Sequence, residues 1–219
     1  MVQQFLLSFN RAISASTVHV IAQRISTSWQ WYIIRGAGFV AAGLLILLML
    51  TGIGKVTGII YRFLEPIKVQ VIHKAMGMAL LVSIAIHGGF LLIDHYVPFS
   101  LVQILIPFSS HYNNGTKLWG IPLGGIAVSL GILAMYGIVI IVASSLGWIN
   151  SKKKTWRQLH YLSYAVIYLV LLHGLYVGTD LRYGNFRRLW ILIGFIISLG
   201  VIARLWHSGV MKHRTIDNN

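Results

Sequence analysis

Apolar residues crowd into five stretches of the chain, roughly 31 to 50, 72 to 93, 119 to 145, 157 to 177 and 189 to 206, and most of the charged side chains lie between these stretches or at the chain ends. A run of about 20 apolar residues is long enough to cross the hydrocarbon core as a helix, so the pattern predicts five transmembrane helices. The segment before Trp29 reads differently. Phe5, Leu6, Phe9, Ile13, Val20 and Ile21 recur at helical spacing, with Asn10, Arg11, Gln23 and Arg24 among them. That is the pattern of an amphipathic helix lying in the membrane interface, with a sixth crossing as the alternative. The expected organisation is an N-terminal amphipathic segment (1–28), a membrane domain (29–206) and a short cytoplasmic tail (207–219).

Composition agrees with the pattern. Of the 219 residues 57% are hydrophobic and only 10% charged, and the mean hydropathy is +0.76. These values describe an all-α integral membrane bundle that buries itself in lipid, not a soluble domain. The net charge of +14 does not imply nucleic acid, because the Lys and Arg sit between apolar runs, where they face lipid headgroups and set topology. The chain has no cysteine, which excludes disulfides, thiolate metal ligands, iron–sulfur clusters and covalently attached haem.

Loop charge predicts orientation. With five spans, one side carries Lys55, Arg62, Lys68, Lys74, Lys152, Lys153, Lys154, Arg157, Arg204, Lys212 and Arg214, and the other carries Arg11, Arg24, Lys117, Arg182, Arg187 and Arg188. The positive-inside rule assigns the first side to the cytoplasm. The second and fourth spans then run parallel, from inside to outside, in what is expected to be the cytoplasmic membrane.

Both of those spans contain histidines. "HKAMGMALLVSIAIHG" places His73 near its inner end and His87 near its outer end, and "WRQLHYLSYAVIYLVLLHG" does the same with His160 and His173. A titratable group inside hydrocarbon is costly and marks a functional site by default. At about 1.5 Å per residue the two intervals amount to about 21 and ~19.5 Å, so both levels fit within a bilayer core of ~30 Å. Parallel helices bring His73 level with His160 and His87 level with His173. Two imidazoles facing each other at one depth are what a six-coordinate haem b needs, and a second pair makes two stacked haems. One detail conflicts. Fourteen residues return to within about 40° of the starting face, whereas thirteen leave the second imidazole ~140° away. The fourth helix must therefore tilt, distort locally or present its rings from different edges.

These spacings, the "WRQLH" word and the "HG" after each outer histidine resemble the ferric reductase-like transmembrane domain, the cytochrome b part of ferric reductases and NADPH oxidases, over about residues 30 to 206. The resemblance implies two haem b groups, the inner one on His73 and His160 and the outer one on His87 and His173. It also implies electron transfer across the membrane to ferric iron, oxygen or a redox protein outside. Larger relatives carry a flavin and nicotinamide domain after the last helix; here only the short segment 207–219 follows the fifth span and no dinucleotide-binding glycine motif opens a helix. The resemblance thus implies an oxidoreductase subunit supplied by a separate flavoprotein or by quinol.

Other side chains fit this scheme as candidates. Arg35 lies within the first span, where an unpaired guanidinium is expensive; an outer-haem propionate could pair it, or it could snorkel to the interface. Lys74 and Arg157 could meet inner-haem propionates or serve only as topology signals. Gly77, Gly88 and Gly174 would let a flat macrocycle lie against bare backbone, or else let helices pack closely. Gly120, Gly124 and Gly125 open a third span that has no imidazole and reads as scaffold. His19, His95, His111, His207 and His213 are expected to be solvated, although His95 and His111, with Asp94 and Tyr112, share a loop on the acceptor side that could attract a metal. The apolar "FSLVQILIPF" in that loop could form a lid or a re-entrant piece. The competing reading, a transporter or channel that relays protons or metal through buried histidines, calls for acidic partners in the spans. The four acids, Glu65, Asp94, Asp180 and Asp217, all lie outside the spans or at their edges.

Overall fold

A computed structural model describes the backbone of residues 15–217 and the side chains of residues 28–206. Helix α1 (Ala15–Thr57) is one uninterrupted rod, so residues 15–28 continue into the first span and do not form a separate interfacial helix. No proline or glycine occurs between Ala15 and Ser28, and nothing there stops helix propagation once the apolar run is helical. The expected amphipathic residues before Ala15 lie outside the described residues, as do the side chains of His19, His207 and His213. Gly58, with φ 75°, supplies the left-handed residue that ends α1. A single 3₁₀ turn (Ile59–Arg62) follows, and Pro66 starts α2 (Pro66–Leu91), where its fixed φ and missing N–H cost nothing.

The outer loop holds a five-residue helix α3 (Leu101–Leu105), started by a capping box in which Ser100 and Gln103 bond each other's backbone N–H. A two-residue hairpin joins β1 (Lys117–Leu118) to β2 (Ile121–Pro122). At its tip Trp119 and Gly120 have φ 49° and 83°, the positive values that the favoured two-residue turns require. This hairpin delays the third span, α4 (Gly124–Gly147), past the start at 119 expected from hydropathy.

The fourth span is not one helix. It breaks at Tyr161 into α5 (Lys153–His160) and α6 (Leu162–Val177). The Tyr161 N–H is shared among carbonyls at 157 and 158, and the Tyr164 N–H donates to the Tyr161 carbonyl three residues back. Each residue of such a 3₁₀ turn rotates about 120° instead of ~100°, and so recovers ~20° of the misphase between His160 and His173. The break falls between the two histidines, which is where it can act. After a 3₁₀ turn (Thr179–Leu181), α7 (Gly184–Asp217) forms the fifth span and stays helical beyond Trp206. The segment expected as a tail after 206 is thus helical through Asp217.

Among the described residues, five helices are long and apolar enough to cross a membrane: Ser28–Thr57, Pro66–Leu91, Gly124–Gly147, Lys153–Val177 and Gly184–Trp206. The protein is an all-α integral membrane bundle. The most extensive helix contacts are α1 with α2 and α4 with α6. Ala127, Gly131, Ala134 and Gly137 give α4 a seam of small residues towards α6, and a Cβ on Gly137 would come within 2.5 Å of Val166. Small residues let helices approach closely in lipid, where burial of apolar surface gives no driving force. Leu45, Met49, Leu80, Ile138, Ile167 and Ile197 are buried between the helices, while many other apolar side chains face outwards, as on α7 with Ile191, Leu192, Phe195, Ile196, Leu199 and Ile202.

Candidate functional site

Helix α2 and the broken span α5–α6 bring their histidines together at two levels. The ring centres of His73 and His160 are 6.3 Å apart at 49°, and those of His87 and His173 are 6.4 Å apart at 88°. The four imidazoles thus meet as two pairs.

Each ring is held by its Nδ1. At the outer level His87 Nδ1 lies 2.8 Å from the Ile34 carbonyl and His173 Nδ1 lies 2.8 Å from the Ala127 carbonyl. A carbonyl can only accept, so both Nδ1 atoms carry a proton, and in the neutral imidazole each Nε2 keeps its lone pair. At the inner level His73 Nδ1 lies 3.0 Å from Thr51 Oγ1, whose own proton is directed to the Leu47 and Leu48 carbonyls. The hydroxyl therefore accepts from Nδ1–H. His160 Nδ1 approaches Ser145 Oγ at 3.5 Å, and Ser145 donates to the Ile141 carbonyl while accepting from Trp156 Nε1–H. The Trp156 ring also lies 5.3 Å from His160. In the neutral imidazole this arrangement leaves Nε2 with the lone pair, the tautomer a metal requires, with outer partners that fix ring orientation.

Glycines back the outer pair. A Cβ on Gly131 would fall 2.5 Å from His173 Nδ1, and one on Gly38 would fall 3.1 Å from His87 Nδ1 and Cε1. Gly174 serves packing instead: a Cβ there would meet Trp190 at 2.8 Å, and Trp190 Nε1 is tied to the Leu171 carbonyl. Gly88 and Gly77 face Ile104 and Val142 at 3.9 and 4.0 Å. Gly124 and Gly125 pack the start of α4 against the loop carbonyls of Tyr112 and Ser110. Span α4 is therefore more than scaffold, since it supplies the Ala127 carbonyl, Gly131 and Ser145 to the two histidine levels.

A cavity of about 290 Å³, mostly apolar, lies at the outer pair between His87 and His173. Arg35 borders it, stacked on Trp31 with its guanidinium carbon 3.9 Å from the ring centre. Its partner is a protein carboxylate: Arg35 Nε donates to Asp180 Oδ2 at 2.7 Å, and a second guanidinium nitrogen bonds Oδ1. The loop covers the cavity mouth, with Val97, Phe99, Gln103, Ile104 and Tyr112 in its lining. Phe108 N–H donates to Ser129 Oγ at 2.7 Å and Tyr136 donates to the Leu105 carbonyl at 2.7 Å, which fastens the lid along α4. Asn114 bonds the Tyr176 carbonyl, and Arg182 bonds Asn114.

Asp94 is buried, while His95 and His111 are exposed; no group of three metal-ligating side chains forms among the described residues. Lys74 and Arg157 are both exposed at the inner ends of their helices. Lys55 interacts electrostatically with both inner imidazoles and bonds Gln70. Replacing Thr51 by valine keeps the shape of the side chain but removes the acceptor for His73. Under the haem-binding reading proposed below, the expected result is a fall of about 10- to 100-fold in haem affinity at the inner level, read by titration of the apoprotein, with the outer level unchanged.

A lipid-embedded helical bundle with paired imidazoles at two depths defines a membrane redox component. The family model described as "Ferric reductase like transmembrane component" matches residues 37–172, and the chain belongs to that family. No curated protein and no solved structure was found to match it.

Proposed function

We propose that the protein is a di-haem b cytochrome of the cytoplasmic membrane, carrying electrons from a cytoplasmic flavoprotein or quinol to an extracytoplasmic acceptor such as ferric iron, oxygen or a redox protein. His73 and His160 would hold the inner haem, and His87 and His173 the outer one. The observation that carries this reading is the pair of imidazole couples with every Nε2 left as a donor. The ring centres of each pair, 6.3 and 6.4 Å apart, are close enough for the two imidazoles to share one metal-centred group. Two haems so bound supply reversible one-electron chemistry at two depths of the bilayer.

The chain's own groups do the rest. Thr51, Ser145 and the carbonyls of Ile34 and Ala127 fix the ligand rings, and the apolar walls keep water away and lower the local dielectric, two of the levers that tune potential. Arg35 is already neutralised by Asp180, so a contact with an outer propionate would share its guanidinium. Lys55 joins Lys74 and Arg157 as a cation available to inner propionates.

Vesicles carrying the purified, haem-loaded protein and enclosing ferricyanide test this function. Dithionite added outside is expected to bleach the enclosed ferricyanide in proportion to the protein present, and His87→Ala is expected to stop the bleaching. Equal bleaching in empty vesicles or in His87→Ala vesicles would contradict electron transfer through the outer pair.

A further inference from the structure

The outer cavity holds a carboxylate that the ligand scheme does not use. Asp94 is only 5% exposed. Its Oδ2 accepts from the Val97 N–H at 3.0 Å, and its Oδ1 is buried with no hydrogen-bond partner among the described residues. The residue lines the same cavity as His87 and His173 and belongs to the outer loop, seven positions beyond His87 in the chain. A buried carboxylate oxygen without a donor is costly, and protonation is one way to relieve it.

The cationic and imidazole groups around the cavity are already paired. Arg35 of α1 and Asp180 of the turn after α6 neutralise each other through two hydrogen bonds. His87 of α2 and His173 of α6 give their Nδ1 protons to carbonyls. Tyr112 and Gln103 of the lid and Thr179 of the turn after α6 also line the cavity, and α4 adds apolar side chains and Gly131. Asp94 Oδ1 is a buried side-chain oxygen of this lining with no hydrogen-bond partner among the described residues.

We infer that Asp94 is a redox-linked proton site: it binds one proton from the outer aqueous phase when an electron enters the outer cavity, and releases it when the electron leaves. This rests on the electron-transfer reading above. The electron comes from the cytoplasmic donor and reduces the outer haem iron from ferric to ferrous, while the carboxylate becomes a carboxylic acid, so the cavity gains no net charge. The physical cause is electrostatic, because an added negative charge in a low-dielectric space favours the neutral form of a nearby carboxylate.

Redox titration of the full haem-loaded protein in lipid discs, at a series of pH values, tests it. The outer component is the one missing in His173→Ala. Its midpoint is expected to fall as pH rises, with a slope approaching about 59 mV per pH unit, the one-electron equivalent of a tenfold change in proton activity. Asp94→Asn is expected to flatten that slope and to remove a carboxylic-acid band from the reduced-minus-oxidised infrared spectrum. Haem content and the inner midpoint report folding of this variant; should it lose haem, Asp94→Glu, which keeps a carboxyl group, is expected to retain the slope and to shift the band. A pH-independent outer midpoint, an unaltered slope in Asp94→Asn, or a band that neither variant changes would overturn the inference alone. A protein that binds no haem would overturn the electron-transfer reading and this inference with it.

Discussion

Changing His173 to alanine is expected to remove the outer haem completely while leaving the inner haem spectrum largely in place. His173 is one of only two imidazoles at its level among the described residues, and its ring centre lies 6.4 Å from that of His87. With no cysteine in the chain and no third histidine lining the cavity, no other imidazole or thiolate is at hand to replace it. The inner pair depends on different neighbours, Thr51, Ser145 and Trp156, and should tolerate the change. His87→Ala is expected to give the same result from the opposite face. Haem content per chain and low-temperature visible spectra of the two variants check both halves of the expectation, and retention of both haem signals in both variants would refute the pairing.

The second large effect is expected at a residue that touches no cofactor. Gly131→Ala places a methyl group 2.5 Å from His173 Nδ1 and 2.6 Å from Cε1, inside van der Waals contact. The ring cannot swing aside freely, because the same Nδ1 is bonded to the Ala127 carbonyl one turn earlier on α4. Either the hydrogen bond breaks or α4 and α6 separate, and overpacking of this kind costs about 1–3 kcal/mol. Outer-haem affinity is expected to fall by about 5- to 150-fold over that range, since ~1.4 kcal/mol is a factor of ten. Gly36→Ala is the control: a Cβ there meets nothing within 4 Å, and both haems should remain. Equal haem content in the two glycine variants would show that Gly131 does not position His173.

The histidine pairs were legible in the sequence because one-dimensional spacing maps directly onto depth in a bilayer. A constant helical rise turns the His73–His87 and His160–His173 intervals into two levels of similar separation, and parallel helices do the pairing. What spacing could not supply was how the second of these intervals is phased, since the break at Tyr161 has no proline or glycine to announce it. The partner of Arg35 was nearly within reach. An arginine inside a span needs an anion, and of four acids only Asp94 and Asp180 lie on the outer side; choosing between them needed the turn that follows α6. Thr51, Ser145 and the carbonyls of Ile34 and Ala127 were not legible, because any hydroxyl or backbone oxygen on a packed helix is a possible partner and only tertiary contact selects one. Hydropathy also overran the start of α4, where a hairpin of apolar residues reads as the beginning of a span.

Haem quantified by pyridine haemochrome against protein, together with a reduced-minus-oxidised visible spectrum, tests the central claim most directly. Two bis-imidazole sites predict a low-spin b-type spectrum at about two haems per chain. A folded preparation, made with haem available, that contains none would contradict the claim and favour the reading in which the buried histidines carry protons or bare metal.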